Sequence, residues 1–123
     1  MSIGIFNHFI TLRISGIKIG YLELKRYKKE SINLESLTRA LIVIKKGKLK
    51  LSKQEIIDSL KEKYNTDNIV RLLLFVKKYN FEFTFEDAKR GDRLGIDYNK
   101  EITSSENFEQ TIKEIKQTIY SNT

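Results

Sequence analysis

This sequence of 123 residues predicts an α+β domain, on the basis of a strand-like segment and a helical segment. Residues 9–27 are rich in β-branched and aromatic residues with partial alternation, which is typical of paired strands. Residues 33–79 contain three patterns in which apolar residues recur at intervals of three and four, as in amphipathic helices. We therefore expect a single domain over residues 1–123, with an N-terminal β-hairpin (1–30), a three-helix core with a wing hairpin (33–100) and a C-terminal amphipathic helix (104–121).

The N-terminal hairpin is predicted within residues 9–27. The Ser-Gly dipeptide at positions 15 and 16 can form a tight turn between two strands. In the second strand, Leu22 and Leu24 alternate with polar or amphipathic residues, which predicts one buried face and one wet face. The charged run KRYKKE then ends this strand.

The first core helix is predicted to begin after Asn33, whose side chain can cap it. Gly47 ends this helix, and Lys45 and Lys46 just before it suit the negative end of the helix dipole. Its apolar positions recur at three- and four-residue intervals, at Leu34, Leu37, Leu41 and Ile44.

Two more helices follow, joined by a short polar turn. Ser52 and Glu55 form a capping box for the second helix, since each side chain can satisfy a backbone N–H of the first turn. Thr66 or Asp67 can cap the third helix. Two consecutive amphipathic helices with a short turn are the pattern of a helix-turn-helix.

The stretch KKGKLKLSKQEIIDSLKEKYNTDNIVRLLLFVKKY, within residues 37–81, resembles the core of winged helix-turn-helix DNA-binding proteins, particularly GntR-type and IclR-type bacterial regulators. The resemblance implies that the third helix reads the major groove of DNA. It also implies which apolar residues hold the two helices on the core, namely Ile57, Leu60, Tyr64, Ile69 and Leu72.

The wing is predicted from an aromatic strand that follows the third helix. Phe81, Phe83 and Phe85 alternate, so they would share one face of a strand. A second strand at residues 94–98, LGIDY, would complete the wing hairpin, with AKRGDR as a basic tip.

A rival interpretation of the same segment is helical. Asn80 would end the third helix in the left-handed conformation, and Thr84 and Asp87 would form a capping box for a short helix over residues 85–90. In this interpretation residues 67–90 resemble the end of nitrile-hydratase-type leader peptides, although Asn80 stands where that family has Gly.

The C-terminal helix is predicted to be capped by Ser104 or Ser105. One stripe of the helix is apolar, with Phe108, Ile112, Ile115 and Ile119. This stripe either packs on the domain or pairs with its copy in a homodimer.

Positive charge is concentrated in the first half of the chain, whose total net charge is +7. Residues 1–53 carry 12 Lys and Arg against 3 Asp and Glu, whereas residues 54–123 carry 11 against 13. Such asymmetry favours a partner with many phosphates, such as nucleic acid. The excess of Lys over Arg, 17 to 6, is equally what an AT-rich coding sequence produces.

No constellation of catalytic or metal-ligating residues is present in the sequence. The absence of cysteine excludes disulfides, thiolate metal sites and cysteine catalysis, and His8 is the only histidine. We therefore expect no enzymatic activity, no metal and no cofactor. Without a signal peptide or an apolar run of membrane-spanning length, we expect a cytoplasmic protein with no membrane partner.

The predicted function is that of a DNA-binding, transcriptional-regulator-like protein. Its base contacts would come from Asn65, Thr66, Asn68 and Arg71, and its phosphate contacts from Lys45, Lys46, Lys48, Lys50, Lys53 and Lys78. The alternative is a protein-binding inhibitor or adaptor that uses the hairpin edge or the Phe81, Phe83 and Phe85 stripe. Exposure of Asn68 and Arg71 would favour DNA, and burial would oppose it.

Overall fold

The computed structural model describes residues 4–122, and none of these residues lies in a β-strand. The predicted α+β fold is therefore wrong. Eight helices follow one another along the described residues, namely α1 (Ile5–Ile14), α2 (Tyr21–Lys29), α3 (Leu34–Gly47), α4 (Lys53–Lys61), α5 (Thr66–Lys78), α6 (Phe85–Arg93), α7 (Tyr98–Thr103) and α8 (Phe108–Ser121).

Helices α1 and α2 replace the predicted N-terminal hairpin. Leu24 and Tyr27 are buried three residues apart, at the spacing of one face of a helix. Leu22, which strand alternation would bury together with Leu24, is instead 76% exposed. Partial alternation in this segment was therefore compatible with a helix, and the buried residues follow the helical period.

Helix α6 replaces the first strand of the predicted wing hairpin. The Thr84 hydroxyl accepts a hydrogen bond from the backbone N–H of Asp87 at 3.0 Å, and the Asp87 carboxylate accepts one from the N–H of Thr84 at 3.5 Å. This capping box confirms the rival, helical interpretation. The segment proposed as the second wing strand contains a left-handed turn at Gly95 and the start of α7 at Tyr98.

The helices recur along the chain with a spacing of 32 residues, which the residue types alone do not reveal. Helices α2, α4 and α6 begin at Tyr21, Lys53 and Phe85. Residues in the same register share their environment, because Leu24, Ile56 and Ala88 are all completely buried. Helices α1 to α6 thus form α–α repeats, each consisting of two helices and two short connections.

The connections repeat as well, because six consecutive helices end in the same way. After each of α1 to α6, one residue adopts the left-handed conformation, in order Gly16, Ser31, Lys48, Lys63, Asn80 and Gly95. The next residue donates its backbone N–H to the carbonyl five positions earlier, as Ile17 does to Leu12 at 2.8 Å. This is the Schellman ending, and it confirms the stop predicted at Asn80.

The predicted helix beginnings differ in outcome. Thr66 and Asp67, predicted as caps, are instead the first two residues of α5. The Asn33 cap and the capping box of Ser52 and Glu55 are both confirmed. The predicted cap at Ser104 or Ser105 is wrong, since the Asn107 side chain accepts a hydrogen bond from the Gln110 N–H at 3.2 Å and α8 begins later.

The chain divides into two compact units, with the boundary between Asp67 and Asn68. In the first unit, α1 packs on α2 and α3, and α3 packs on α2 and α4. Its most deeply buried side chains are those of Leu12, Leu24, Leu37, Ile56 and Ile57. In the second unit, α8 packs on α6 and α7, and Tyr98 and Ile119 are completely buried.

Candidate nucleic-acid interface

Two lysine-bearing loops lie at the same end of the first unit. The Lys45 ammonium at the end of α3 donates a hydrogen bond to the carbonyl of Gly16, in the loop between α1 and α2. The Lys53 ammonium at the start of α4 pairs with the Glu23 carboxylate in the first turn of α2. These two contacts bring residues 15–20 and 48–52 to the same end of the unit.

This end carries five exposed lysines, which we call the basic end: Lys18, Lys45, Lys46, Lys48 and Lys50. Neither of the two loops contains an aspartate or a glutamate. Lys45 and Lys46 also stabilise the negative end of the α3 dipole, but Lys18 and Lys50 lie in loops where that explanation does not apply. The local charge is therefore greater than the helix ends require.

The repeat explains how the lysines are arranged and identifies one that the sequence analysis missed. Lys18 and Lys50 occupy the same position in consecutive repeats, as do Arg13 and Lys45. Because equivalent positions of stacked repeats lie next to each other, these pairs place positive charges side by side at the basic end. The 32-residue spacing is the signal that would have identified Lys18.

Lys53, a predicted phosphate contact, has its charge balanced within the unit. Burial raises the pKa of the Glu23 carboxyl, but hydrogen bonds from Lys53 and Tyr27 outweigh burial and lower that pKa below its ordinary value. The hydrogen bond to Glu23 likewise raises the pKa of Lys53. The pair links α2 to α4, so Lys53 adds less outward charge than the lysines of the basic end.

The four predicted base contacts differ in their surroundings. Asn65 and Arg71 are exposed. Thr66 is 2% exposed, and its hydroxyl lies 3.0 Å from that of Ser59. The Thr66 side chain therefore packs inside the first unit rather than facing solvent.

Asn68 has its side-chain amide engaged within the second unit. The amide oxygen accepts a hydrogen bond from the N–H of Tyr98 at 3.0 Å, and the amide nitrogen donates to the carbonyl of Ile96 at 3.2 Å. The same nitrogen lies 3.3 Å from the Asp92 carboxylate. Asn68 is half-buried and anchors the start of α7, which gives it a structural role.

The predicted partner-binding stripe is not a continuous surface. Phe81 stacks on Tyr79 with ring centres 6.3 Å apart. Phe83 and Tyr98 instead meet edge to face, with ring centres 6.2 Å apart. Phe85 is the first residue of α6, and the Lys89 ammonium lies 5.0 Å from its ring. All three rings are half-buried and have different neighbours. Lys78, the remaining predicted phosphate contact, is exposed, with its ammonium 5.5 Å from the Tyr79 ring.

Within residues 4–122, no three His, Asp or Glu side chains are grouped so that they would hold a metal ion. None of the described helices is long and apolar enough to cross a membrane. No family model, curated protein or solved structure matches this chain. The resemblances to winged helix-turn-helix proteins and to leader peptides therefore gain no support from a relative.

Proposed function

We propose that this protein is a non-enzymatic DNA-binding protein that contacts phosphate groups through its basic end. The observation that carries the proposal is the convergence of the two lysine-bearing loops, held by the contacts of Lys45 with Gly16 and of Lys53 with Glu23. A polymer that carries many phosphates is a suitable partner for a surface on which several lysines are grouped in this way.

The distribution of charge between the two units supports this proposal. Residues 1–67 carry 14 Lys and Arg against 7 Asp and Glu, whereas residues 68–123 carry 9 of each. The net charge of +7 therefore belongs to the first unit. Binding of such a surface to DNA is favoured by the release of counterions from the phosphates, so its affinity falls as salt rises.

The surroundings of α5 favour phosphate contacts over the reading of bases. Thr66 is buried and the Asn68 amide is engaged in hydrogen bonds, so two of the four predicted base contacts have structural partners. Much of α5 is itself buried, at Ile69, Val70, Leu72, Leu73 and Val76. Lysine also suits this role, since its ammonium acts on phosphate as a point charge. We therefore expect weak preference for DNA sequence.

Fluorescence anisotropy with a random duplex tests the proposal. The variant would combine Lys46→Ala, Lys48→Gly and Lys50→Ala, with Gly at position 48 because the backbone there has a φ of 53°. Loss of three phosphate contacts should reduce the slope of log affinity against log salt by about 2.7. Affinity at about 50 mM salt should fall at least about tenfold.

The matched control is a Lys25/Lys28/Lys29→Ala variant, which removes the same charge from the exposed surface of α2. If position matters, this control should bind nearly as well as the native protein. The proposal would be rejected if the native protein failed to bind at low salt. It would also be rejected if both triple variants lost affinity equally, since total charge would then explain binding.

The alternative, an inhibitor or adaptor that binds a protein through Phe81, Phe83 and Phe85, has less support. These rings are half-buried and do not form one face. An aromatic surface with greater exposure lies on α1.

A further inference from the structure

Helix α1 exposes the face that its repeat counterpart, α3, buries. In the first unit, α3 packs on α1 near Thr38, whose hydroxyl lies 3.2 Å from Nδ1 of His8. Thr38 is 6% exposed. The residue 32 positions earlier, Phe6, is 61% exposed, although it occupies the same register on α1. The face of α3 that contacts α1 thus has an equivalent on α1 itself, and that equivalent face is exposed to solvent.

Two further pairs of equivalent residues support this correspondence. Lys45 reaches back to Gly16 of the preceding repeat, and its equivalent on α1 is Arg13, which is exposed. Lys53 reaches back to Glu23, and its equivalent is Tyr21, which is 41% exposed. We call the outward set the stacking face, which consists of Phe6, Phe9, Ile10, Arg13 and Tyr21.

The stacking face is organised as a small aromatic surface. Phe9 and Tyr21 meet edge to face with ring centres 6.0 Å apart, and the Arg13 guanidinium lies 5.2 Å from the Phe9 ring. The set contains aromatic residues, isoleucine and arginine but no Lys, Asp or Glu, as in the centre of a protein–protein interface.

The apolar stripe of the C-terminal helix is mostly buried. Three of the four residues of this stripe, Ile112, Ile115 and Ile119, are buried, whereas Phe108 is 36% exposed. The exposed residues of the same helix are mainly polar, including Glu109, Gln110, Lys113, Glu114 and Gln117. A homodimer through the α8 stripe, one of the sequence-based alternatives, would therefore require this stripe to leave its present packing.

We propose that the stacking face is covered by a second copy of this chain, through a two-fold contact between antiparallel α1 helices. A pair centred between Phe9 and Ile10 would place Phe6 of each copy opposite Arg13 of the other. Such a ring and guanidinium attract each other. The two Arg13 side chains would lie at opposite ends of the pair, so their charges would not face each other. The surface is thus complementary to itself, as a two-fold contact requires.

Charge and size determine how this dimer should behave. Each first unit carries the whole net charge of +7, so two copies repel each other at low salt. Salt screens this repulsion, and dimerisation should strengthen as salt rises, whereas DNA binding weakens. One helix face from each copy is small for an interface, which predicts a dissociation constant in the micromolar range.

Sedimentation velocity up to about 200 µM, a concentration that populates a micromolar dimer, tests the proposal at low and high salt. Phe6→Gln should weaken the dimer at least tenfold, because the symmetric contact loses two rings. Leu22→Gln is the control, since Leu22 is similarly exposed at 76% but its equivalent, Gln54, is also exposed. This control should leave the dimer unchanged.

Disulfide crosslinking tests the geometry, because the chain contains no cysteine of its own. Ile10→Cys places two thiols next to the centre of the proposed pair and should form a covalent dimer under mild oxidation. Leu22→Cys at the same concentration should remain monomeric. A native protein that stays monomeric at high salt, or a dimer that survives Phe6→Gln, would overturn the proposal.

Discussion

The Tyr98 hydroxyl occupies the space into which a side chain on Gly91 would project. A Cβ atom added to Gly91 would lie 1.9 Å from this oxygen and 2.9 Å from the ring carbon that bears it. Tyr98 is completely buried, and its hydroxyl donates a hydrogen bond to the carbonyl of Ala88 at 2.7 Å. Burial also raises the pKa of Tyr98 far above its ordinary value. The absence of a side chain at Gly91 therefore allows Tyr98 to pack against α6.

Gly91→Ala should destabilise the second unit by about 1–3 kcal/mol, because Tyr98 must move and strain its packing. This loss should appear although alanine is the better helix former by about 1 kcal/mol. Urea unfolding followed by circular dichroism measures the change. The control is Gly20→Ser, which has open space around it and should stay within about 0.5 kcal/mol of the native protein. A fully stable Gly91→Ala variant would refute the packing argument.

The stability of the first unit should fall as pH decreases through the range in which histidine titrates. Burial lowers the pKa of His8 below the ordinary value of 6.5; nearby Glu35 opposes this shift and Lys28 adds to it. Below pH 6.5 His8 is therefore protonated in the unfolded chain before it is protonated in the folded chain. Stability is fully present above this pH and decreases until His8 is protonated in the folded state too.

Because His8 is the only histidine, its imidazole signals in an NMR titration report this pKa without overlap. Urea unfolding between pH 5.5 and 7.5 should show the slope in the native protein. His8→Gln should remove most of this slope, since the amide can still contact Thr38 but does not titrate. An unchanged slope in that variant would assign the effect to other groups.

Asn68 should matter for stability more than for DNA affinity. Asn68→Asp keeps an acceptor for the Tyr98 N–H but loses the donor to the Ile96 carbonyl and places a second carboxylate beside Asp92. Loss of these partly buried hydrogen bonds, together with repulsion between the two carboxylates, should lower the free energy of unfolding by about 1–3 kcal/mol in urea. Arg71→Gln, at an exposed position, should change stability by less than about 0.5 kcal/mol. An unchanged stability of Asn68→Asp would contradict this structural role.

Glu23→Gln should strengthen DNA binding, because the glutamine oxygen can still accept the Lys53 hydrogen bond that holds the two loops together. The change removes the carboxylate that balances Lys53, so the salt slope should steepen by up to about one phosphate contact. Stability should fall by at most about 1 kcal/mol, as is usual for partly exposed ion pairs.

The matched control is Glu30→Gln, which removes the partner of Lys61 from a pair whose charged atoms are 3.6 Å apart. It makes the same change in net charge away from the two loops of the basic end. Anisotropy titrations at two salt concentrations should separate the two variants. Equal affinities would show that net charge, rather than the position of Glu23, controls binding.

Features that depend on neighbouring residues were predictable from the sequence. Ser52 and Thr84 each have an acidic residue three positions later, so their capping boxes follow from local chemistry alone. The N-terminal segment was misread because β-branched and aromatic content favours strands as a tendency that tertiary packing overrides. There the burial of Leu24 and Tyr27, rather than composition, sets the helical period.

The repeat itself was hidden because equivalent positions use different residue types. Gly16, Lys48 and Asn80 share one backbone conformation, yet no comparison of their side chains would align them. The basic end was partly predictable, since four of its five lysines are close together in sequence. Asn68 was not, because its partners Ile96 and Tyr98 lie about 30 residues away in the chain and are brought close only by folding.

The left-handed helix endings leave this protein with a margin for stabilisation. Four of the six residues that end helices in this way are not glycine, namely Ser31, Lys48, Lys63 and Asn80. An L-residue costs roughly 1–2 kcal/mol in this conformation, with asparagine at the lower end. Glycine at Ser31, Lys63 and Asn80 would recover part of that cost and raise the melting temperature, as an engineered, heat-tolerant version would need. At Lys48 the same change would remove a charge from the basic end. At this position, therefore, a gain in thermal stability would come with a loss of the proposed DNA affinity.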